Sequence, residues 1–300
     1  MIWIGIDGGG STLRVAAVDD SLRVLAQASR GTANPSSIGR EAAAALIQEA
    51  LREVVDQLEA PPAALGIGVA GASPVYADAW LRETVAGVLS DTPVATATDI
   101  EIALIGAHGA RRGIIVVAGT GSVAFGVSAN GEGVQVGGWG FLIDDAGGGY
   151  WIGMEALRHV ARLADAGRPP DALSERLLER VGASQPQHII PWVYRQPPPV
   201  REIAALAPLV LDFAPEEPAA AAIVERAAAA LANLVALVRD RLHTVDESAP
   251  VAFGGGLLTG DAPLARALTA RLALPARPAP LYSPTIGAAL LAKIRYAKAR

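Results

Sequence analysis

The sequence predicts an α/β fold built as two domains, and three observations support this prediction. The chain has 300 residues, about twice the length of a common single domain. Short apolar runs typical of buried strands alternate with longer stretches of helical periodicity, as they do in α/β proteins. A strand–loop–strand–turn–strand pattern near the N-terminus also recurs in the middle of the chain.

The repeated pattern predicts two β-meanders. In the first, a strand at Ile2–Ile6 precedes the loop Asp7–Thr12, and a turn at Asp19–Ser21 separates the next two strands. In the second, the loop is Gly119–Ser122 and the turn is Asn130-Gly131, a dipeptide typical of tight hairpins. The likeness favours duplicated halves that face each other, although any two β-meanders share this pattern.

Further strands and helices follow each meander. Apolar side chains recur at helical spacing in the segments 40–59, 154–164 and 219–245. Buried strands are predicted at 64–70, 93–98 and 250–255. These elements continue the alternation of strands and helices that is expected of sheets covered by helices.

The domain boundary is expected near residues 107–113, between the helix that follows TDIE and the second meander. This divides the chain into an N-terminal domain over 1–110 and a C-terminal domain over 111–284. A closing helix over 285–300 is expected to pack back on the N-terminal domain.

Composition excludes several functional classes. The net charge is −5 at pH 7 and no long basic run occurs, so neither a nucleic acid nor an anionic membrane is an expected partner. The chain contains no cysteine, which excludes disulfides, thiolate zinc sites and cysteine-held iron–sulfur clusters. The N-terminus lacks the basic region and cleavage site of a signal peptide, so a cytoplasmic protein is predicted.

Lysine is almost absent, which constrains how the chain could bind a nucleotide. Lys293 and Lys298 are the only two lysines. A Walker A loop carries its lysine directly after a glycine, and no such site occurs here. If the chain binds a nucleotide, it must therefore do so without lysine.

The loop DGGGST after the first strand has the composition of an anion-binding loop. Gly9 and Gly10 would let backbone N–H groups approach a phosphate closely. Ser11 and Thr12 add hydroxyl donors, and Asp7 could hold Mg²⁺ directly or through water. The alternative interpretation is a glycine-rich hairpin turn without a ligand.

The loop GTGS repeats this arrangement in the second meander. Thr120 and Ser122 flank Gly121 as hydroxyl donors. Two such loops in corresponding positions could bind a triphosphate from both sides. A hairpin turn remains the alternative for each loop alone, and it is less favoured for the pair.

The segment TDIE, residues 98–101, lies at the carboxyl end of a predicted strand and contains the acid Asp99. Asp99 lies where α/β sheets bind ligands, at the carboxyl end of a strand. A carboxylate there could accept a proton from a hydroxyl that attacks phosphorus. Asp99 also precedes a helical stretch, so a helix N-cap is the alternative.

Two more glycine-rich segments suggest backbone that lines a polar ligand. The run Gly137–Leu157 combines many glycines with the adjacent acids Asp144 and Asp145. The run Phe253–Leu258 (FGGGLL) ends a buried strand, where its backbone could lie against a nucleotide base or ribose.

Taken together, DGGG, TD, GTGS, GGWG–DD–GGGYWIG and FGGG resemble the sugar kinases of the actin/hexokinase/Hsp70 superfamily. Within it, the sequence resembles the N-acetylglucosamine kinase and glucosamine kinase group of the BadF/BadG/BcrA/BcrD ATPase family. The resemblance implies two ribonuclease-H-like lobes, with ATP and Mg²⁺ in the cleft between them. A hexosamine would lie beneath the γ-phosphate.

The resemblance also implies a role for individual residues. Asp99 would be the base that activates the sugar hydroxyl, and Asn34 would contact the sugar. Asp145 is followed by alanine here, where the family often has glutamate. The other matching residues are Gly138, Trp139, Gly140, Asp145 and nearby Ser122 for the sugar, Ser11 and Thr120 for the phosphates, and Gly255 and Gly256 for the nucleoside.

Several functional alternatives stay open after this comparison. The expected substrate is N-acetylglucosamine, phosphorylated at its 6-hydroxyl, with glucosamine or N-acetylmuramate as alternatives. A non-catalytic nucleotide or sugar sensor is the alternative from another class. The family branch that activates dehydratases through a cysteine-held cluster is excluded because the chain has no cysteine. A homodimer is left open.

Overall fold

The computed structural model describes residues 1–242 and 249–297. Its first sheet has five strands, β1 (Trp3–Gly8), β2 (Leu13–Val18), β3 (Val24–Arg30), β4 (Ala64–Val69) and β5 (Val94–Ala97). They lie in the order β3-β2-β1-β4-β5. The strands β1, β2 and β3 form an antiparallel meander, whereas β4 and β5 run parallel to β1.

The second sheet repeats most of this arrangement. Its strands are β6 (Gly113–Ala118), β7 (Ser122–Val127), β8 (Gly133–Gly137) and β9 (Val251–Gly254), in the order β8-β7-β6-β9. As in the first sheet, an antiparallel meander is followed by a parallel strand on its other edge. This common topology supports the hypothesis of duplicated halves. In the described residues the second sheet has no strand equivalent to β5.

Twelve α-helices occur in the described residues. They are α1 (Pro35–Ile38), α2 (Arg40–Val55), α3 (Pro74–Ala86), α4 (Asp99–His108), α5 (Gly149–Asp165), α6 (Ala172–Val181), α7 (Ile189–Val193), α8 (Val200–Ala204), α9 (Ala207–Phe213), α10 (Pro218–Leu242), α11 (Pro263–Arg271) and α12 (Pro284–Tyr296). The predicted helix over 40–59 is therefore shorter, since it ends at Val55. The end of the predicted helix over 219–245 lies outside the described residues, as do residues 298–300.

Two helices, α4 and α12, lie between the sheets. Side chains of α4 pack against the second sheet, where Ile102 shares a buried cluster with Ile115 and Phe125. The helix α12 packs on the first sheet, where a side chain at Gly5 or Gly66 would collide with its backbone. A Cβ on Gly5 would lie 1.9 Å from the carbonyl oxygen of Thr285. The predicted boundary near residue 110 stays a prediction.

The turns of both meanders occur where the sequence predicts them. In the first, the backbone N–H of Leu22 donates to the carbonyl oxygen of Asp19 at 3.0 Å. In the second, the N–H of Gly131 donates to the carbonyl oxygen of Ser128 at 3.0 Å. Gly131 has a φ of 86°, a conformation that glycine adopts without steric cost.

One helix in the described part of the chain, α10, is long and apolar enough to cross a membrane. Its apolar stripe, however, packs in the core that covers the second sheet, with Leu231, Val235 and Val238 fully buried. We call the second sheet with the helices that pack on it the second lobe, and the first sheet with its helices the first lobe. A buried core helix of a globular domain meets the same criteria of length and composition.

Candidate active site

Asp7 is a buried carboxylate at the end of β1. Asp7 is 7% exposed. Its nearest cation is Arg14, whose Nη1 lies 4.0 Å from Asp7 Oδ2. Burial raises the pKa of Asp7 to about 6, partly offset by Arg14 and reinforced by the charge of Asp99. Asp7 and Asp99 are therefore close enough to repel each other.

The DGGGST loop that follows Asp7 is a tight turn with an open outer side. The N–H of Gly9 donates to the carbonyl oxygen of Thr12 at 3.0 Å, which closes the turn. A Cβ on Gly10 would have no atom within 4 Å, so the space beside this residue is free. Ser11 is exposed and Thr12 is half-buried, as a ligand-contacting loop requires.

The GTGS loop is held by the start of α5. The N–H groups of Gly149 and Tyr150 donate to the carbonyl oxygens of Gly119 and Thr120 at 2.8 and 2.9 Å. These two helix-terminal donors therefore fix the loop instead of facing a ligand. Thr120 remains exposed, so its hydroxyl is accessible.

Asp145 connects the GTGS loop to the GGWG segment. Its carboxylate accepts a hydrogen bond from the N–H of Gly140 at 3.2 Å, and a Cβ on Gly121 would lie 2.0 Å from its Oδ2. Burial raises the pKa of Asp145. The backbone of Asp145 has a φ of 62°, which is unusual for a residue with a side chain.

The other residues predicted to contact the sugar surround this connection. Ser122 is buried, and its Oγ donates to the carbonyl oxygen of Ala146 at 2.9 Å. The N–H of Gly138 donates to the carbonyl oxygen of Ser122 at 2.9 Å, whereas Trp139 is 68% exposed. Ser122 and Asp145 thus have internal partners, and their contacts with a sugar stay predictions.

The close contact between Gly121 and Asp145 predicts that a side chain at position 121 destabilises the fold. Replacing Gly121 with alanine should displace the Asp145 carboxylate and lower the free energy of unfolding by about 1–3 kcal/mol, as other overpacked sites do. Thermal unfolding of the variant measures this loss. Gly119→Ala is the matched control, because its Cβ would have no atom within 4 Å. Equal melting temperatures for the two variants would contradict the contact.

Asp99 is the first residue of α4, and the residue before it caps the helix. Thr98 has extended backbone angles, and its Oγ1 accepts a hydrogen bond from the N–H of Glu101 at 3.2 Å. The interpretation of Asp99 as the N-cap is therefore wrong, because Thr98 already fills that position. Asp99 is partly buried, and burial raises the pKa of its carboxyl group.

Asn34 caps the short helix α1 beside the first sheet. Its Oδ1 accepts a hydrogen bond from the N–H of Ser36 at 2.8 Å, and it lies so close to Gly71 that a Cβ there would be 2.4 Å away. In the described part of the chain, no hydrogen-bond acceptor contacts the Asn34 Nδ2 group. Two N–H donors are therefore available for a ligand.

A cavity of about 620 Å³ joins elements of both sheets, within the size range of small-molecule sites. Asp7, Asp99 and Gly255 line it together. A Cβ on Gly255, which has a φ of 83°, would lie 2.2 Å from the carbonyl oxygen of Ala118, so only glycine fits. Gly256 faces open space. The hydroxyls of Ser11 and Thr120 do not line this cavity.

Two arginines at the site were not singled out by the sequence analysis. Arg14 lies opposite Asp7 in the β1–β2 pairing, so a register assignment for the predicted hairpin could have identified it. Arg277 lines the cavity but lies in an irregular segment without a recognisable motif. No signal in the sequence would have placed Arg277 in the same cavity as Asp99.

The donors present are suited to Mg²⁺. No group of three histidine or acidic side chains suitable for a metal occurs among residues 1–242 and 249–297. Mg²⁺ bound to a nucleotide needs only one or two carboxylates, since phosphates and waters complete its shell. Asp7 fits this requirement, because its carboxylate is buried and its nearest cation, Arg14, is 4.0 Å away.

The fold and the paired glycine loops define a two-lobed α/β protein of the sugar kinase and actin-like ATPase type. A family model, that of the BadF/BadG/BcrA/BcrD ATPase family, matches residues 4–292. The chain belongs to this family, and the resemblance seen in the sequence is confirmed.

Individual relatives agree with this membership. The chain is 28% identical to an N-acetyl-D-glucosamine kinase of Dictyostelium discoideum over 97% of both proteins. It is 30% identical to an N-acetylmuramic acid/N-acetylglucosamine kinase of Clostridium acetobutylicum over 69% of both. Both activities are those of the relatives.

Solved structures confirm the predicted two-lobed fold. A Chromobacterium violaceum protein assigned as an N-acetylglucosamine kinase superposes with a TM-score of 0.75 at 30% identity, covering 97% of this chain and 98% of that one. A glucokinase of the ROK family from Streptomyces griseus superposes with a TM-score of 0.61 at 18% identity, covering 98% and 99%. The latter similarity concerns the fold alone.

Proposed function

We propose that this protein transfers the γ-phosphoryl group of ATP to a hydroxyl of an amino sugar, with the 6-hydroxyl of N-acetylglucosamine as the acceptor. One observation supports this most strongly. Two carboxylates at strand ends of the first lobe, the buried Asp7 and the partly buried Asp99, line one cavity with the glycine loop at Gly254–Gly255 of the second lobe. The names of the relatives support the substrate class.

Asp99 is the proposed general base. Its position at the start of α4 fixes the carboxylate in the cavity, and burial raises its pKa, which strengthens it as a proton acceptor. It would take the proton from the sugar hydroxyl as that oxygen attacks phosphorus. Because phosphoryl transfer depends mainly on positioning and charge, this step needs no covalent intermediate.

Asp7 is the residue that would hold Mg²⁺. Held there, Mg²⁺ would supply positive charge to offset the negative charge that develops on the phosphate oxygens. Its charge also favours the ionised form of Asp7, whose pKa burial otherwise raises.

The two glycine loops would bind the phosphates. Gly9, Gly10 and Gly121 permit close backbone approach, and the exposed Ser11 and Thr120 supply hydroxyl donors. On the nucleoside side, Gly255 and Gly256 bring backbone near the cavity without a side chain.

The sugar would lie between Asn34 of the first lobe and the loop Gly138–Gly140 of the second. Asn34 offers its Nδ2 group, while Asp145 holds the N–H of Gly140 and so fixes the loop. The exposed indole of Trp139 is large enough to cover a sugar ring. Glucosamine and N-acetylmuramate are alternative substrates, since one pocket contact can decide between such analogues.

The two functions of Asn34 can be separated by mutation. Asn34→Asp keeps the Oδ1 acceptor that caps α1 but removes the Nδ2 donors, and aspartate caps helices as well as asparagine does. We expect an unchanged melting temperature and a Michaelis constant for the sugar raised about tenfold or more, because a sugar oxygen loses its partner. Asn34→Ala, which loses both groups, should change both quantities. A wild-type Michaelis constant in both variants would contradict the assignment.

A panel of acceptors tests the proposed function. The protein is incubated with Mg-ATP and N-acetylglucosamine, glucosamine, N-acetylmuramate or glucose, and ADP release is measured. We expect stimulation by at least one amino sugar well above that by glucose. ADP release that no amino sugar stimulates would contradict the proposal and favour a non-catalytic sensor.

The environment of the reaction is part of the same proposal. We place the protein in the cytoplasm, where ATP is available, with small molecules and no nucleic acid or membrane as partners. The net charge of −5 supports the exclusion of nucleic acids and anionic membranes as partners. A homodimer stays open, and its formation can be measured by light scattering.

A further inference from the structure

Arg201 extends from the second lobe to the glycine loop of the first. Its Nη2 donates a hydrogen bond to the carbonyl oxygen of Gly10 at 3.4 Å, although the two residues are 191 positions apart in the sequence. Gly10 belongs to the DGGGST loop, whose open side faces free space. The guanidinium of Arg201 therefore lies beside one of the two proposed phosphate loops.

The helix that carries Arg201 is fixed relative to the other phosphate loop. Helix α8 packs on α5 so closely that a Cβ on Gly153 would lie 2.1 Å from the carbonyl oxygen of Ile203. The start of α5 in turn donates from Gly149 to the carbonyl oxygen of Gly119 at 2.8 Å. Arg201 is thus positioned with respect to both glycine loops.

The charge of Arg201 has no acidic partner in the described part of the chain. Its neighbour Glu202 instead pairs with Arg195, with 2.6 Å between Arg195 Nη2 and Glu202 Oε1. Lys293, the one lysine in the described residues, donates to the carbonyl oxygen of Asp20. Arg201 is therefore an uncompensated cation beside loops that are proposed to bind a polyanion.

From this geometry we propose that Arg201 binds the terminal phosphate groups of the nucleotide and takes the place of the lysine that other phosphate-binding loops use. The inference rests on the proposed function only in assigning the nucleotide as ATP. A guanidinium has five N–H donors, so the bond to Gly10 leaves donors for phosphate oxygens. Its planar arrangement suits two-point binding of phosphate.

Nucleotide titrations without sugar test this role. The wild type, Arg201→Gln and the control Arg195→Gln are titrated with Mg-ATP and, separately, with adenosine by calorimetry. The two variants lose the same charge from neighbouring exposed residues, and their melting temperatures confirm folding. We expect Arg201→Gln to raise the dissociation constant of ATP about tenfold or more while leaving that of adenosine unchanged. Arg195→Gln should change neither.

Two results would overturn the inference. One is an ATP dissociation constant in Arg201→Gln within about twofold of the wild-type value. The other is an equal rise for ATP and adenosine, which would make Arg201 a structural contact between the lobes. The titrations contain no sugar, so their outcome does not depend on whether the acceptor panel detects kinase activity. If the wild type is an active kinase and Arg201→Gln binds ATP as tightly as the wild type does, the role of Arg201 is overturned and the proposed function stands.

Discussion

Replacement of Asp99 with asparagine is expected to lower turnover at least a hundredfold and to leave folding and ligand binding intact. Asparagine has nearly the shape of aspartate but cannot accept the proton of the sugar hydroxyl. Loss of a general base costs about 10²–10⁴ in rate, or roughly 3–5 kcal/mol of barrier. Turnover, sugar binding and the melting temperature of the variant are measured together.

Thr98→Ala is the matched control for this experiment. Thr98 is the N-cap of the same helix, so its loss should lower the free energy of unfolding by about 1 kcal/mol. Its side chain has no proposed part in the chemistry, and turnover of the folded variant should stay near the wild-type value. Full activity in Asp99→Asn would remove the proposed base from the mechanism.

Replacement of Asp7 with asparagine is expected to abolish activity and yet to stabilise the ligand-free protein at neutral pH. Burial raises the pKa of Asp7 from 3.8 to about 6, which corresponds to a cost of about 3 kcal/mol when the carboxylate is ionised. The amide avoids this cost, although part of the gain is offset because the buried amide also loses hydration. We expect a melting temperature higher by a few degrees.

The pH dependence of this effect has a definite sign. Well below pH 3.8, Asp7 is neutral in both the folded and the unfolded chain, so wild type and variant should differ little in stability. As the pH rises from 3.8 to about 6, only the unfolded state loses the proton readily, and the wild type loses stability relative to Asp7→Asn.

Thermal unfolding of both proteins from pH 4 to pH 8 checks this difference, with Mg²⁺ omitted. Asp240→Asn is the control, because it removes an exposed carboxylate and should show no such trend. A variant that is less stable than the wild type at pH 8 would contradict the assignment of Asp7 as a destabilising buried charge.

Much of the fold could be predicted because it is encoded locally. Alternating and continuous apolar runs identified both meanders, and Asn130-Gly131 identified a turn whose glycine has a positive φ. The glycine runs of the two proposed phosphate loops were likewise visible in the sequence, since glycine lets the backbone approach a ligand closely. The sequence also indicated Asp7 and Asp99 as acids at strand ends, and the structure shows that both line one cavity.

Features that depend on contacts distant in sequence could not be predicted. Gly5 and Gly66 occur inside strands because α12 packs directly on them, and no local pattern indicates this contact. Whether Thr98 or Asp99 caps α4 depends on the exact residue at which the helix begins. Sequence patterns do not locate a helix start to within one residue. Arg201 reaches Gly10 only through the packing of α8 on α5.

The internal partners of Ser122 and Asp145 were also invisible in the sequence. Each residue matches a sugar-contacting position by resemblance, whereas the structure pairs Ser122 with the Ala146 carbonyl and Asp145 with the Gly140 N–H. A residue that orders a loop and a residue that contacts a ligand can have the same sequence signature. Only measured sugar affinities of their variants can separate these roles.

The most direct test of the account is to identify the products by ³¹P NMR after incubation with Mg-ATP and N-acetylglucosamine. We expect a phosphate monoester on the 6-oxygen of the sugar, formed in equal amount with ADP and at least a hundredfold more slowly when Asp99→Asn replaces the wild type. ADP accompanied by inorganic phosphate with no sugar phosphate, or a product that Asp99→Asn forms at the wild-type rate, would contradict it.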